Sequence, residues 1–95
     1  MRINKKFRED CELVFTYLDF RNSFNMGYVS YNIYKNRIWY ITGNRDFKYV
    51  RRIFDWLLTN KFMKKKRRID RVVYLFNPYG IDEEILIPNG RLVFL

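Results

Sequence analysis

Phe47, Val50, Ile53, Phe54, Leu57 and Leu58 recur at spacings of three, three, one, three and one. That period lines apolar side chains along one stripe of an α-helix, whereas on a strand they would scatter over both faces. A helix patterned this way must bury its stripe, so the rest of the chain has to supply a matching apolar layer. A second stripe (Phe7, Cys11, Val14 and Leu18, widened by Phe15) follows spacings of four, three and four. Asn4 is placed to cap that helix, Glu9, Asp10 and Glu12 suit its positive end, and Asn25-Met26-Gly27 is placed to stop it. For the other helix, Asn44 is the expected cap, Asp46 lies in the first turn, and the end falls near Phe62–Lys64.

Between the helices Tyr28 to Tyr34 alternates, with Val29, Tyr31 and Ile33 on one face and Ser30 and Asn32 on the other. Arg37 to Thr42 is rich in Ile, Trp and Tyr, so with Lys35-Asn36 as the turn this stretch predicts a β-hairpin. Arg71 to Phe76 is a dense run of β-formers, punctuated by Asn77-Pro78-Tyr79-Gly80. Ile81 to Ile87 and, after Pro88-Asn89-Gly90, Arg91 to Leu95 read as further strands. The predicted order is α-β-β-α-β-β-β. It describes an α+β domain, with two amphipathic helices packed on one face of a mainly antiparallel sheet. At 95 residues the chain holds one core, and no repeat or Pro/Gly/Ser-rich linker divides residues 1–95.

Missing residue types exclude several chemistries. There is no histidine and one cysteine, Cys11, which rules out imidazole catalysis, His-containing metal sites and an internal disulfide. No glycine-rich phosphate loop or dinucleotide fingerprint is present. A non-enzymatic protein with no cofactor, catalytic residue, metal or small-molecule substrate is therefore expected. The longest uncharged run, Asn22 to Tyr34, is too short and polar to span a bilayer, so no membrane role is expected. Glu9, Asp10, Glu12 and Asp19 argue against a leader peptide and for an intracellular location. Asp82, Glu83 and Glu84 would alternate along a strand and not converge on a metal, and Asp46, Asp55 and Asp70 are dispersed. Ion pairing with the basic residues is the expected use of these acids.

Charge carries the functional signal. Lys+Arg number 19 against 10 Asp+Glu, a net charge of +9. Lys61, Lys64, Lys65, Lys66, Arg67, Arg68 and Arg71 fall within eleven residues beside one acid, Asp70, and the remainder of the chain is nearly balanced. Such a cluster repels itself unless an anion neutralises it, and phosphate contacts by Lys and Arg release counterions. Lys48, Arg51 and Arg52 on the second helix extend the patch. A solvated loop is the other use of such a run. The aromatic residues interleaved with cations from Tyr28 to Tyr40 suit base stacking, although a chain without alanine also needs aromatics for its core.

Leu18-Asp19-Phe20-Arg21-Asn22-Ser23 is similar to the Arg-Asn-Ala ending of the first helix in the eighth protein of the bacterial-type small ribosomal subunit. Phe47-Lys48 through Ile53, Trp56-Leu57 and Asn60-Lys61-Phe62-Met63 resembles that family's Ser-Lys-x-x-x-x-Ile-x-x-Ile-Leu-x-x-x-Gly-Phe-Ile run. Val73-Tyr74-Leu75 followed by Gly80 resembles the strand and turn after it. Lys61 stands where the family has glycine, and Phe47 where it has serine. The resemblance covers about residues 12–80 and the family's N-terminal half. It implies a ribosomal protein that binds rRNA, with neighbouring ribosomal proteins as partners and Arg21 and Lys48 as carried-over contacts. An organelle-encoded, mitochondrial member would suit the Phe/Tyr/Asn/Ile/Lys bias. A different class of reading is a small virus- or plasmid-encoded protein that binds duplex DNA in a winged-helix-like way or inhibits a host protein. There Asp46–Phe62 would be the recognition helix and Ile81–Leu95 the wing.

Overall fold

The computed structural model describes residues 4–21, 23 and 27–83. Its elements are α1 (Lys5–Phe20), β1 (Val29–Ser30), α2 (Tyr31–Thr42), α3 (Phe47–Thr59), β2 (Met63–Arg67) and β3 (Val72–Phe76). The strands form one antiparallel sheet in the order β1-β3-β2. Val29 pairs with Tyr74, and Met63 through Arg67 pair with Phe76 through Val72. The α+β class and the antiparallel sheet agree with the sequence reading, but the described residues hold three helices and three strands.

α1 forms as its stripe requires. Asn4 Oδ1 accepts from the Phe7 N–H at 2.7 Å, and Phe7, Cys11, Val14 and Leu18 are buried. The helix ends at Phe20, before the expected glycine stop, with the Arg21 N–H closing on the Tyr17 carbonyl at 3.0 Å. α3 buries Val50, Ile53, Phe54 and Leu57. Its cap is Asp46, whose side chain accepts from the Lys48 N–H, while Asn44 supports the turn by accepting from the Asp46 N–H at 2.8 Å.

The largest departure is at residues 28–42. The expected hairpin is a two-residue strand followed by the helix α2. Tyr31, Tyr34, Ile38 and Ile41 follow spacings of three, four and three, so a helical stripe underlies the alternation read from the same residues. Tyr34 and Ile38 are fully buried, whereas Asn32, Asn36 and Tyr40 face solvent. Aromatic and β-branched residues favour strands only weakly, and burial against α1 and α3 overrides that preference. Gly43 ends α2 in the left-handed region (φ 70°), with its N–H on the Trp39 carbonyl at 2.9 Å. The four residues 43–46 then turn the chain into α3.

The sheet has two unlike faces. Val29, Met63, Tyr74 and Phe76 join the helices in the main core, where Phe54 packs edge-on against Tyr31 and Tyr74. Tyr28, Val73 and Leu75 form a smaller cluster with Ile81 on the other side. Tyr34 ties α2 to β3: its hydroxyl accepts from the Phe76 N–H at 3.1 Å. Cys11 is buried on the apolar stripe of α1. Desolvation, reinforced by the neighbouring Asp10, pushes its thiol up to about 12. Asn77-Pro78-Tyr79-Gly80 forms the expected turn, with the Gly80 N–H on the Asn77 carbonyl. Residues 81–83 contain no strand, and the remainder of the Ile81–Ile87 segment and all of Arg91–Leu95 lie outside the described residues.

Candidate nucleic-acid interface

Four cations of the basic run, Lys64 to Arg67, lie on the strand β2, whereas the sequence reading put the run between a helix and a strand. The β2 backbone pairs with β3 over five residues, and Met63 anchors the run by burying its side chain opposite Phe76. The next four residues, Lys64 to Arg67, are exposed along the edge of the sheet. Directly paired residues in an antiparallel ladder project to the same face. Lys65 therefore lies on the helix side with Tyr74, and Arg67 with Val72. Lys64 and Lys66 lie on the outer side with Leu75 and Val73.

The two sides are held differently. On the outer side Lys64 Nζ is 3.3 Å from Glu83 Oε1, and Lys66 Nζ is 5.2 Å from the Tyr28 ring centroid. The Tyr28 hydroxyl donates to Glu83. That bond, followed by Lys64, holds the Glu83 carboxyl below the usual carboxylate range. Burial and the same bond raise Tyr28 above its ordinary value. The Lys64–Glu83 pair is the kind of acid–base contact expected from the sequence. On the helix side, Lys65 and Arg67 have no ion-pair partner among the described residues. The hairpin closes through the Arg68 N–H on the Arg71 carbonyl at 2.7 Å and leaves Ile69 fully exposed. Arg71 Nη2 sits 3.3 Å from Asp70 Oδ2, and this hydrogen bond lowers the Asp70 carboxyl.

α3 presents a second basic surface. Its buried stripe leaves Lys48, Arg52, Asp55 and Thr59 on the opposite, exposed side. Arg51 lies on the flank, with its guanidinium 4.8 Å from the Tyr31 ring and its Nε 3.1 Å from Asp55 Oδ1. Arg52 stands 4.5 Å over the Phe7 ring. Packing against rings fixes the position of both guanidinium groups, and Arg51 is in addition paired with Asp55. Because Tyr31, Phe54 and Tyr74 form one aromatic cluster, Arg51 on α3 and Lys65 on β2 flank the same group of rings.

Two predicted site residues have other positions. Lys61 adopts φ 61°, and its N–H bonds to the Leu58 carbonyl while that of Phe62 bonds to Leu57, each at 3.0 Å. This is the Schellman ending that normally carries glycine, so Lys61 is the stop signal of α3 and explains why the helix ends at Thr59. Arg21 lies at the far end of α1 from Phe7, about 20 Å along the helix at 1.5 Å per residue. It is therefore separated from Arg52, which packs on Phe7.

The sequence reading missed two features. Phe47, assigned to the buried stripe, is 61% exposed because it is the first residue of α3 and precedes the packed turns. The α2–turn–α3 pair was hidden by the hairpin reading, although Gly43 was a visible helix stop. Among the described residues no three acidic or cysteine side chains gather as a metal site. No helix there is long and apolar enough to cross a membrane. No protein-family model, curated protein or solved structure matches the chain.

Proposed function

We propose that this chain binds duplex DNA without enzymatic activity, through a helix-turn-helix (α2, residues 43–46, α3) and a basic β2–β3 wing. The observation that carries this reading is the juxtaposition of two cationic surfaces. Lys48 and Arg52 line the open side of α3 with Arg51 on its flank, and Lys65, Arg67, Arg68 and Arg71 lie on the hairpin that follows it. The element order, with the sheet ordered β1-β3-β2, has the layout of a winged helix. In this reading the wing is residues 63–76, not the C-terminal segment.

The B-form major groove, about 12 Å wide, admits a helix, whereas the A-form major groove is deep and narrow. An rRNA-binding role would use the same phosphate contacts but give α3 no groove to enter. Duplex DNA uses both surfaces. The test is fluorescence anisotropy of the full chain against a DNA duplex and a folded RNA of equal length, at stepped salt. The duplex should win the competition, and log Kobs should fall by about 0.9 per phosphate contact for each unit of log salt. Tighter binding to the RNA, or binding indifferent to salt, would overturn the proposal.

A further inference from the structure

We infer that Phe47 reads sequence by packing its ring on the 5-methyl group of thymine in the major groove, an inference that rests on the duplex-binding reading above. Phe47 is the first residue of α3, directly after the Asp46 cap. The N-terminal residues of a recognition helix are the ones that reach base edges. Its side chain is 61% exposed, and among the described residues no ring or cation lies against it. Phe7, Phe15, Phe54, Phe62 and Phe76, by contrast, all pack against other rings, and the more exposed Phe20 lies at the end of α1 and not on α3. Phe47 thus leaves most of its apolar area in water.

Its surroundings define the partner. Arg45 and Lys48 flank it in sequence, and Arg51 follows one turn later on the same side of the helix. These cations suit phosphates and the acceptor atoms of guanine, but a phenyl ring satisfies neither. The apolar group that B-form DNA displays in its major groove is the thymine methyl, and an aromatic ring is suited to cover it. Phe47 would then distinguish T from C at one position, with the cations fixing the register of the helix on the backbone.

The experiment selects duplexes from a randomised pool with the full parent chain and with Phe47→Ala. The winning duplex is then resynthesised with deoxyuridine in place of each thymine, which removes only the methyl. The parent should lose about fourfold in affinity, the value of burying one such group. Phe47→Ala should bind both duplexes alike, with the parent's melting temperature and salt slope. A pool that does not converge, or a uracil effect that is equal in the two proteins or absent from both, would overturn the inference and leave duplex binding standing. If the parent bound no duplex at all, this inference and the proposed function would fall together.

Discussion

β3 (Val-Val-Tyr-Leu-Phe) pairs with strands on both sides and buries four of its five residues, whereas β2 (Met-Lys-Lys-Lys-Arg) pairs on one side and exposes four of five. The strands are the same length and belong to one hairpin, so backbone geometry alone does not separate them. Position does. A central strand covered on both faces needs apolar residues throughout, while an edge strand needs only enough to anchor its register. Lysine along an edge also blocks pairing with other chains, and that would account for one or two of the cations. It does not account for their continuation through Arg68 and Arg71, or for the matching set on α3. β3 therefore carries stability, and in the proposed reading β2 carries recognition.

This division predicts that substitutions in the two strands fail in different assays. Phe76→Ala removes a fully buried ring that packs 5.7 Å from Phe15. Its expected cost is about 3–5 kcal/mol, read as a lowered midpoint in urea denaturation. A cost below about 1 kcal/mol would show that β3 is not the centre of the core. The double change Lys65→Gln/Arg67→Gln should leave the urea midpoint within about 0.5 kcal/mol of the parent. It should flatten the log–log salt slope for duplex binding by about 1.8, two contacts at 0.9 each. Equal loss from Lys64→Gln/Lys66→Gln would erase the distinction between the two sides of β2, because those residues already engage Glu83 and Tyr28.

Lys61 is the cation of the run that ends α3, before β2 begins, and its expected behaviour is opposite to that of its neighbours. A side chain in the left-handed region costs roughly 1 kcal/mol relative to glycine. Lys61→Gly should raise stability by about that amount while leaving duplex affinity close to the parent's. A clear fall in affinity would return Lys61 to the phosphate-binding group.

What the sequence made legible follows from the same contrast. The stripes of α1 and α3 were readable because one face of each helix is buried and the period of the pattern is the period of the element. β3 was readable because burial on both faces demands an unbroken apolar run. α2 was not readable: Tyr-Asn-Ile-Tyr-Lys-Asn-Arg-Ile-Trp-Tyr-Ile-Thr fits alternation nearly as well as a helical stripe, and its residues are modest helix formers. Only packing against α1 and α3 decides between the two. β2 was not readable because a row of solvated cations has no hydrophobic period at all. Its strand character comes from β3, through pairing at long range. The basic patch was therefore legible from charge, but its shape depended on elements that local sequence does not specify.

The smallest expected effect concerns the latch on the outer side of β2. Tyr28 and Lys64 lower the Glu83 carboxyl, so its ionised form favours the fold. The resulting stability is fully present above the ordinary carboxylate value of 4.5 and is lost as pH falls through the lowered folded value. Because both members of the Lys64–Glu83 pair are substantially exposed, Glu83→Gln should cost less than about 1 kcal/mol at neutral pH. It should also remove this group's part of the pH dependence of stability in the acid range. The same change releases Lys64 from its carboxylate. If the outer side of β2 reaches phosphate, the salt slope should steepen by up to about 0.9, one added contact. If the slope stays at the parent's value, the outer cations serve the edge alone, and recognition belongs to Lys65, Arg67 and the hairpin loop together with α3.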